Sequence, residues 1–299
     1  MQKDLGVSLV IPVRNEAGTI SDLLASIHGQ TFRAREVIFV DGGSVDDTVQ
    51  ILREAAGENS FLRVLEAKDA TPGRGRNIGI EAASNDWIAL ADAGVWLAPT
   101  WLQYLVAEVE RNPSVDVVFG AYEAQTPAFF QECAAAAYVA PKQQRPGGRM
   151  RGPFIASSLL RRSLWRTVGG FPDLRAAEDL IFMKRCQQLG KIAWAPLAVV
   201  RWQIQPSLKS TYRRFALYSY HNVLAGHQRY WHYGIARKYL VALLIVILAA
   251  AHSRVWLFVL LLAAVARAAK EQYGNTTRIA VSPGYSTRHD LCWWELSWL

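Results

Sequence analysis

Five short stretches hold the residues best suited to chemistry. Pro12-Val13-Arg14-Asn15-Glu16, Asp41-Gly42-Gly43-Ser44 with Asp46 and Asp47 just beyond, and Asp92-Ala93-Gly94 each follow an apolar run. Gly73-Arg74-Gly75-Arg76-Asn77 sets two arginines among glycines, and Glu178-Asp179 opens a stretch of helical character. Carboxylates accept hydrogen bonds, hold cations or take up protons, and guanidinium groups pair with phosphates. Each stretch also has a plainer reading. Pro12 and Asn15 suit an ordinary turn. Asp46 and Asp47 suit helix capping behind Ser44 as N-cap, and Glu178-Asp179 suits an acidic first turn favoured by the helix dipole. Arg74 and Arg76 suit a solvated basic turn, and Asp92 a structural strand end.

The elements that must position these residues alternate. Apolar β-rich runs fall at 7–13, 37–40, 63–66, 87–91 and 115–120, and helical spacing falls at 19–29, after 44, at 73–83 and at 101–111. Further strands are expected at 154–160 and 192–200, with a helix at 178–188. Such alternation predicts an α/β fold with a doubly wound, mostly parallel sheet. Ligands of such sheets bind beyond the carboxyl ends of the strands, where the first three stretches lie.

Composition narrows the class. The chain has 299 residues, enough for one large domain or two small ones. Apolar residues make up 51%, which excludes disorder of the whole chain. Cys133, Cys186 and Cys292 are scattered and odd in number, which argues against a disulfide scaffold or structural zinc and suits a reducing compartment. The start of the chain lacks the long apolar stretch of a signal peptide, so the catalytic part is expected in the cytoplasm. The net charge of +8 is spread along the chain with no nucleic-acid motif, and nucleic acid is not an expected partner. One concentration of charge is the loop 141–153, with Lys142, Arg145, Arg149 and Arg151.

The tail is of different material. Residues 239–251 carry no charge, His252-Ser253-Arg254 interrupts, and 255–266 are again apolar. One continuous helix would be about 42 Å long and would set Arg254 near mid-bilayer at roughly 3 kcal/mol. A hairpin turning at 252–254 has arms of about 18–20 Å, too short to cross fully. Arg237 and Lys238 before it, with Arg267 and Lys270 after it, favour both ends on the cytoplasmic side. The expectation is a re-entrant or shallow membrane hairpin at about 239–266, aided by the aromatic end 292–299; a buried helical pair is the competing reading.

Val10-Ile-Pro-Val-Arg-Asn-Glu16, Val40-Asp-Gly-Gly-Ser-Val-Asp-Asp-Thr48, Ala91-Asp-Ala-Gly94 and Ala177-Glu-Asp179 together resemble, in order and spacing, the GT-A glycosyltransferases of family 2. The resemblance covers about residues 5–205. It implies a GT-A catalytic domain at 1–205 and, with the tail, a membrane-associated helical region at 206–299. It implies inverting transfer from a nucleotide-diphosphate sugar, usually UDP-linked. By match, Pro12, Val13, Asn15 and Glu16 line the nucleotide pocket and Asp41 bonds the base. Arg74 and Arg76 lie in the segment that closes over the nucleotide. Asp92 is the first acid of the metal motif for Mg2+ or Mn2+, and Asp179 is the general base with Glu178 in support. Gly94 departs from the pattern, because it stands where the motif has its second acid. The Gln-x-x-Arg-Trp segment of polymer-forming members is absent; Arg201-Trp202 and Tyr212-Arg-Arg-Phe215 come nearest.

The expected reaction is sugar transfer to a lipid or lipid-linked acceptor at the cytoplasmic face of the membrane, the acceptor entering between Asp179 and the loop Lys142 to Arg151. Two other readings compete. A nucleotidyltransferase needs a Gly-rich phosphate loop after the first strand, where this chain has Val13-Arg-Asn-Glu16. A membrane-anchored nucleotide-sugar-binding protein or partner subunit, weakly active or inactive, draws support from Gly94.

Overall fold

Along β1 (Val7–Val13), Val7, Leu9, Ile11 and Val13 alternate with Ser8, Val10 and Pro12, and all but Pro12 are buried. A strand buried on both faces needs a packed layer on each side. On one side, Val7, Leu9, Ile11 and Val13 share a core with Ile20, Leu23, Leu24 and Ile27 of α1 (Ile20–His28). Trp101, Leu105 and Val109 of α4 (Trp101–Arg111) complete it. On the other side, Val10 packs with Ile80 of α3 (Pro72–Ala82), Leu164 of α6 (Arg162–Thr167), and Phe182, Met183 and Cys186 of α7 (Glu178–Leu189). In this computed structural model, residues 5–139, 152–226, 232–253, 255–259, 261–262 and 265–266 are described.

Eight strands form one sheet in the order β3-β2-β1-β4-β7-β6-β8-β5. The first block is parallel: β2 (Glu36–Asp41) and β4 (Trp87–Leu90) flank β1, and β3 (Leu62–Glu66) lies outside β2. The sheet is mostly parallel, as expected, and its two reversed strands lie in the second block. There β7 (Ser158–Arg161) runs antiparallel to both β4 and β6 (Val117–Gln125). β8 (Ile192–Gln203) is parallel to β6, and β5 (Val95–Leu97) is antiparallel to β8. Direction cannot be read from a buried apolar run, because burial on both faces leaves no periodicity that depends on it. β5 escaped the sequence reading altogether, being three residues long directly after Gly94.

α2 (Thr48–Glu58) starts four residues after Ser44, so Ser44 is not its N-cap. Asp47 occupies that position without a side-chain hydrogen bond to the helix. α3 begins one residue before the expected 73 and is entered through a cap: Thr71 accepts from the Arg74 N–H, Pro72 lies in the first turn, and Gly73 and Gly75 stand inside the helix. Gly75 and Gly79 of α3 lie four apart, on one face. A Cβ at Gly79 would stand 2.4 Å from Val10 Cγ1, and one at Gly75 3.3 Å from Pro12 Cβ. The two glycines therefore let α3 lie directly on the end of β1.

The chain divides into two compact units, residues 1–221 and 222–299. α5 (Phe129–Tyr138) and α8 (Leu208–Leu224) follow the sheet elements already named. In the second unit α9 (Tyr233–Ala251) begins before the apolar run and takes in Arg237 and Lys238. Its Tyr239, Leu240, Val241, Leu243, Leu244, Val246 and Ile247 are exposed, as are Val255, Trp256, Leu257 and Phe258 beyond it. The helix ends where the break was expected, with the His252 N–H donating to the Leu248 carbonyl. Among the described residues no helix is long and apolar enough to cross a membrane. Arg254, Arg267, Lys270 and the aromatic end 292–299 lie outside the described residues, as do Lys142, Arg145, Arg149 and Arg151.

Candidate active site

Three loops meet the carboxyl ends of β1, β2 and β4. The loop after β1 turns at Asn15, whose φ of 56° is a left-handed conformation that asparagine tolerates better than most residues. Its N–H donates to Ser44 Oγ and its Oδ1 accepts from the Val45 N–H. The Glu16 N–H donates to Thr48 Oγ1 at 2.8 Å and the Ala17 N–H to Asp46. Asp41, buried at the end of β2, accepts from the Gly43 and Ser44 N–H groups and from Ser44 Oγ. Asn15, Asp41, Ser44 and Asp46 thus join the first two loops into one rim. The turn chemistry weighed for Asn15 is what this geometry shows. Pro12 and Val13 pair with Val40 and Asp41 directly beneath that rim.

The centre of the site is Arg76. It is buried, with 4% of its side chain exposed, and it joins two carboxylates. Nη2 donates to Asp92 Oδ1 at 2.6 Å and Nη1 to Glu178 Oε1 at 2.8 Å. Its guanidinium also lies 5.4 Å from the centre of the Phe171 ring, which stacks on Phe182. Glu178 is nearly as buried, at 6%, whereas the Asp92 side chain is 40% exposed. Burial works against a charged Arg76, but Asp92, Glu178 and Asp179 outweigh it and hold the guanidinium firmly protonated. Arg74, two residues earlier, is exposed.

Asp179 sits beside this pair in the first turn of α7, its Oδ1 accepting from the Leu180 N–H at 2.8 Å. Burial, and then the neighbouring Glu178 carboxylate, push its carboxyl up to about 7, against the pull of Arg76. A carboxyl poised there can take up a proton near neutral pH. Three features around Asp179 leave no mark in the linear order of residues. Ala177 precedes the pair with a φ of 68°, left-handed for a residue with a Cβ. Asn77 of α3 locks onto the preceding turn, donating to the Phe171 carbonyl and accepting from the Phe171 N–H and Trp165 Nε1. Tyr218 of α8 is close enough for the charges of Asp179, Asp92 and Glu178 to act on it; burial raises its pKa, opposed by Arg214. Positive φ outside glycine and cross-element anchoring leave no pattern in a single sequence.

The donors of this cluster suit a divalent cation that also binds phosphate. Asp92 Oδ1 is taken by Arg76, while Oδ2 accepts no hydrogen bond from a described residue. Glu178 Oε2 and Arg76 Nε are buried without partners. Among the described residues no three histidines, cysteines or acids gather into a metal group, and Gly94 is exposed where the family's metal motif has its second acid. Mg2+ is commonly held by only one or two carboxylates, with water and substrate phosphates completing its shell.

Comparison with known proteins fits this geometry. The Glycosyl transferase family 2 model matches residues 8–164, and that of Glycosyl transferase family group 2 matches residues 87–270. The chain belongs to glycosyl transferase family 2. Uncharacterized glycosyltransferase YibD of Escherichia coli (strain K12) is 31% identical over 100 residues, 33% of this chain and 29% of YibD. The chain spans about a third or less of the length of the curated relatives it matches. Mannosyltransferase PcManGT from Pyrobaculum calidifontis, in complex with GDP-Man and Mn2+, aligns with a TM-score of 0.64 at 20% identity, over 91% of this chain and 84% of that one. Staphylococcus aureus TarS 1–349, in complex with UDP-GlcNAc, aligns with a TM-score of 0.56 at 20% identity, over 68% and 60%. These likenesses show a common GT-A fold.

Proposed function

We propose that this chain moves a sugar, with inversion, from a nucleotide-diphosphate sugar, UDP-linked by preference, to a lipid or lipid-linked acceptor at the cytoplasmic face of a membrane. The observation that carries the reading is the Asp92–Arg76–Glu178 bridge, which ties the donor-side carboxylate to the Glu178-Asp179 pair in one cluster. Asp179 takes the proton of the acceptor hydroxyl as its oxygen bonds to the anomeric carbon. The bond from that carbon to the phosphate oxygen breaks, and the nucleoside diphosphate leaves. Burial, and then Glu178, keep Asp179 basic enough to accept the proton, and Arg76 keeps Glu178 and Asp92 in place. Pro12, Val13, Asn15 and Asp41 shape the nucleoside pocket, and exposed Arg74 is placed for the diphosphate. Asp92 is the residue that would hold Mg2+ or Mn2+, which when bound would supply positive charge to offset that on the leaving nucleotide.

Membrane action is supported by the exposed apolar side chains of α9 and of 255–258, since surfaces of that kind mark membrane or protein contacts. The donor class is supported by family membership and by the ligands of PcManGT and TarS.

The test measures release of UDP or GDP from a panel of nucleotide sugars, with membrane lipid extract and Mn2+ or Mg2+, for wild type, Asp179→Asn and Asp92→Ala. Turnover that both substitutions abolish is expected. Full turnover in Asp179→Asn refutes the base assignment. Metal-dependent UDP binding without turnover on any donor favours the second reading, a nucleotide-sugar-binding protein, for which Gly94 speaks. Retention of the full chain on vesicles is expected, and loss of it refutes the membrane step.

A further inference from the structure

We infer that Glu16, from the loop after β1, supplies the second carboxylate for the cation held by Asp92, in the place left open at Gly94. This rests on the reading of the site as one for a nucleoside diphosphate with a divalent cation. A Cβ built on Gly94 would stand 3.8 Å from Glu16 Oε1 and 3.9 Å from Oε2, so the Glu16 carboxylate faces the position that lacks an acid. Nothing in the backbone demands glycine there. Gly94 is not among the positive-φ glycines, and only the Glu16 carboxylate comes within 4 Å of the built Cβ. What glycine does at this position is leave space in front of Glu16.

Glu16 is held as a ligand would be. Its N–H is fixed by Thr48 Oγ1, its carbonyl accepts from the Thr19 and Ile20 N–H groups, and its Oε2 accepts from Thr19 Oγ1 at 2.6 Å. A hydroxyl that orients one carboxylate oxygen and leaves the other open is how supporting groups aim a metal ligand. Among the described residues Glu16 makes no ion pair. Asp92 shows the same division, with Oδ1 fixed by Arg76 and Oδ2 open. Two open carboxylate oxygens from two loops match a cation that takes its remaining ligands from phosphate and water. The absence of a third acid among the described residues makes the cation site complete only with nucleotide present. Glu16 would then serve the cation rather than the nucleoside.

The experiment is titration of Mn2+ into the full-length protein, followed by the loss of the free Mn2+ paramagnetic resonance signal, in the presence of UDP and, in a parallel arm, GDP. Wild type, Glu16→Gln, Glu16→Gln/Gly94→Asp and Asp92→Asn are compared. Gln preserves the bond from Thr19, and a melting curve checks that each variant folds. Wild type is expected to bind Mn2+ tightly only with nucleotide. Glu16→Gln is expected to weaken it roughly tenfold or more, and the added Gly94→Asp to restore it. Wild-type affinity in Glu16→Gln overturns the inference while leaving the donor reading intact. Weakening that Gly94→Asp does not repair also overturns it, because Glu16 would then act only through its loop. Failure of wild type to bind Mn2+ with either nucleotide overturns the donor reading itself, and the inference with it.

Discussion

Replacing Arg76 with methionine tests the centre of the site most directly. Methionine keeps much of the length and can still pack on Phe171, but it removes both charge-assisted hydrogen bonds. Glu178, 6% exposed, would be left as a buried carboxylate with neither oxygen paired, since Oε2 already lacks a partner. An uncompensated buried charge of this kind costs about 3–5 kcal/mol. The bond to Asp92 adds less than about 1 kcal/mol, because that side chain is 40% exposed and water replaces the lost partner. For a folded unit of some 220 residues this corresponds to a fall in Tm of roughly 6–20 °C. Calorimetry and urea unfolding measure it. The companion Arg76→Met/Glu178→Met removes the stranded charge, and replacing a buried pair by apolar side chains is often neutral. The double variant is therefore expected within about 1 kcal/mol of wild type and well above the single one. A single variant as stable as wild type, or a double variant no more stable than the single, refutes the claim that the Arg76–Glu178 pair holds the site together.

Asp179→Asn is expected to raise stability at pH 8 and to leave it unchanged near pH 4. The native carboxyl, up at about 7 against an ordinary 3.8, binds a proton more tightly than the unfolded chain does, so wild-type stability falls as pH rises through that window. Thermal melts across pH should show it, with an upper limit of roughly 4 kcal/mol; activity should climb through pH 7 in wild type and be lost in the variant. Glu36 works in the opposite sense at the far ends of β1 and β2. Burial raises it, but bonds from Ser8, Ser84 and Arg63 outweigh that and hold it at about 2. Its stabilisation is present above the ordinary 4.5 and is lost as pH falls toward 2, so Glu36→Gln should flatten acid unfolding in that range, seen by circular dichroism. Ala177→Gly should be neutral or stabilising by up to about 1 kcal/mol, because glycine takes a φ of 68° without a Cβ penalty. A large loss of stability there would show that the Ala177 methyl is needed for packing.

Much of the fold was legible in the sequence. Apolar runs of four to seven residues stopped by polar residues marked β1, β2 and β4, and helical spacing marked α1, α3, α4 and α7, because burial and capping act on neighbouring residues. For the same reason the places of Asp41 and Asp92 at strand ends, and of Glu178-Asp179 in the first turn of a helix, could be read in advance. Tertiary structure decided the rest. It turned β7 antiparallel, a matter of chain path on which the residues of a doubly buried strand are silent. It made Ser44 a brace between two loops instead of a helix cap. It carried Arg76 across a hundred residues of sequence to Glu178, and by burying Asp179 beside Glu178 it raised that carboxyl to about 7 against the pull of Arg76. It set the Glu16 carboxylate opposite Gly94. Sequence shows which groups are present and which local shapes they favour; the distances between groups far apart in the chain, and hence their charges, arise only when the sheet brings its loops together.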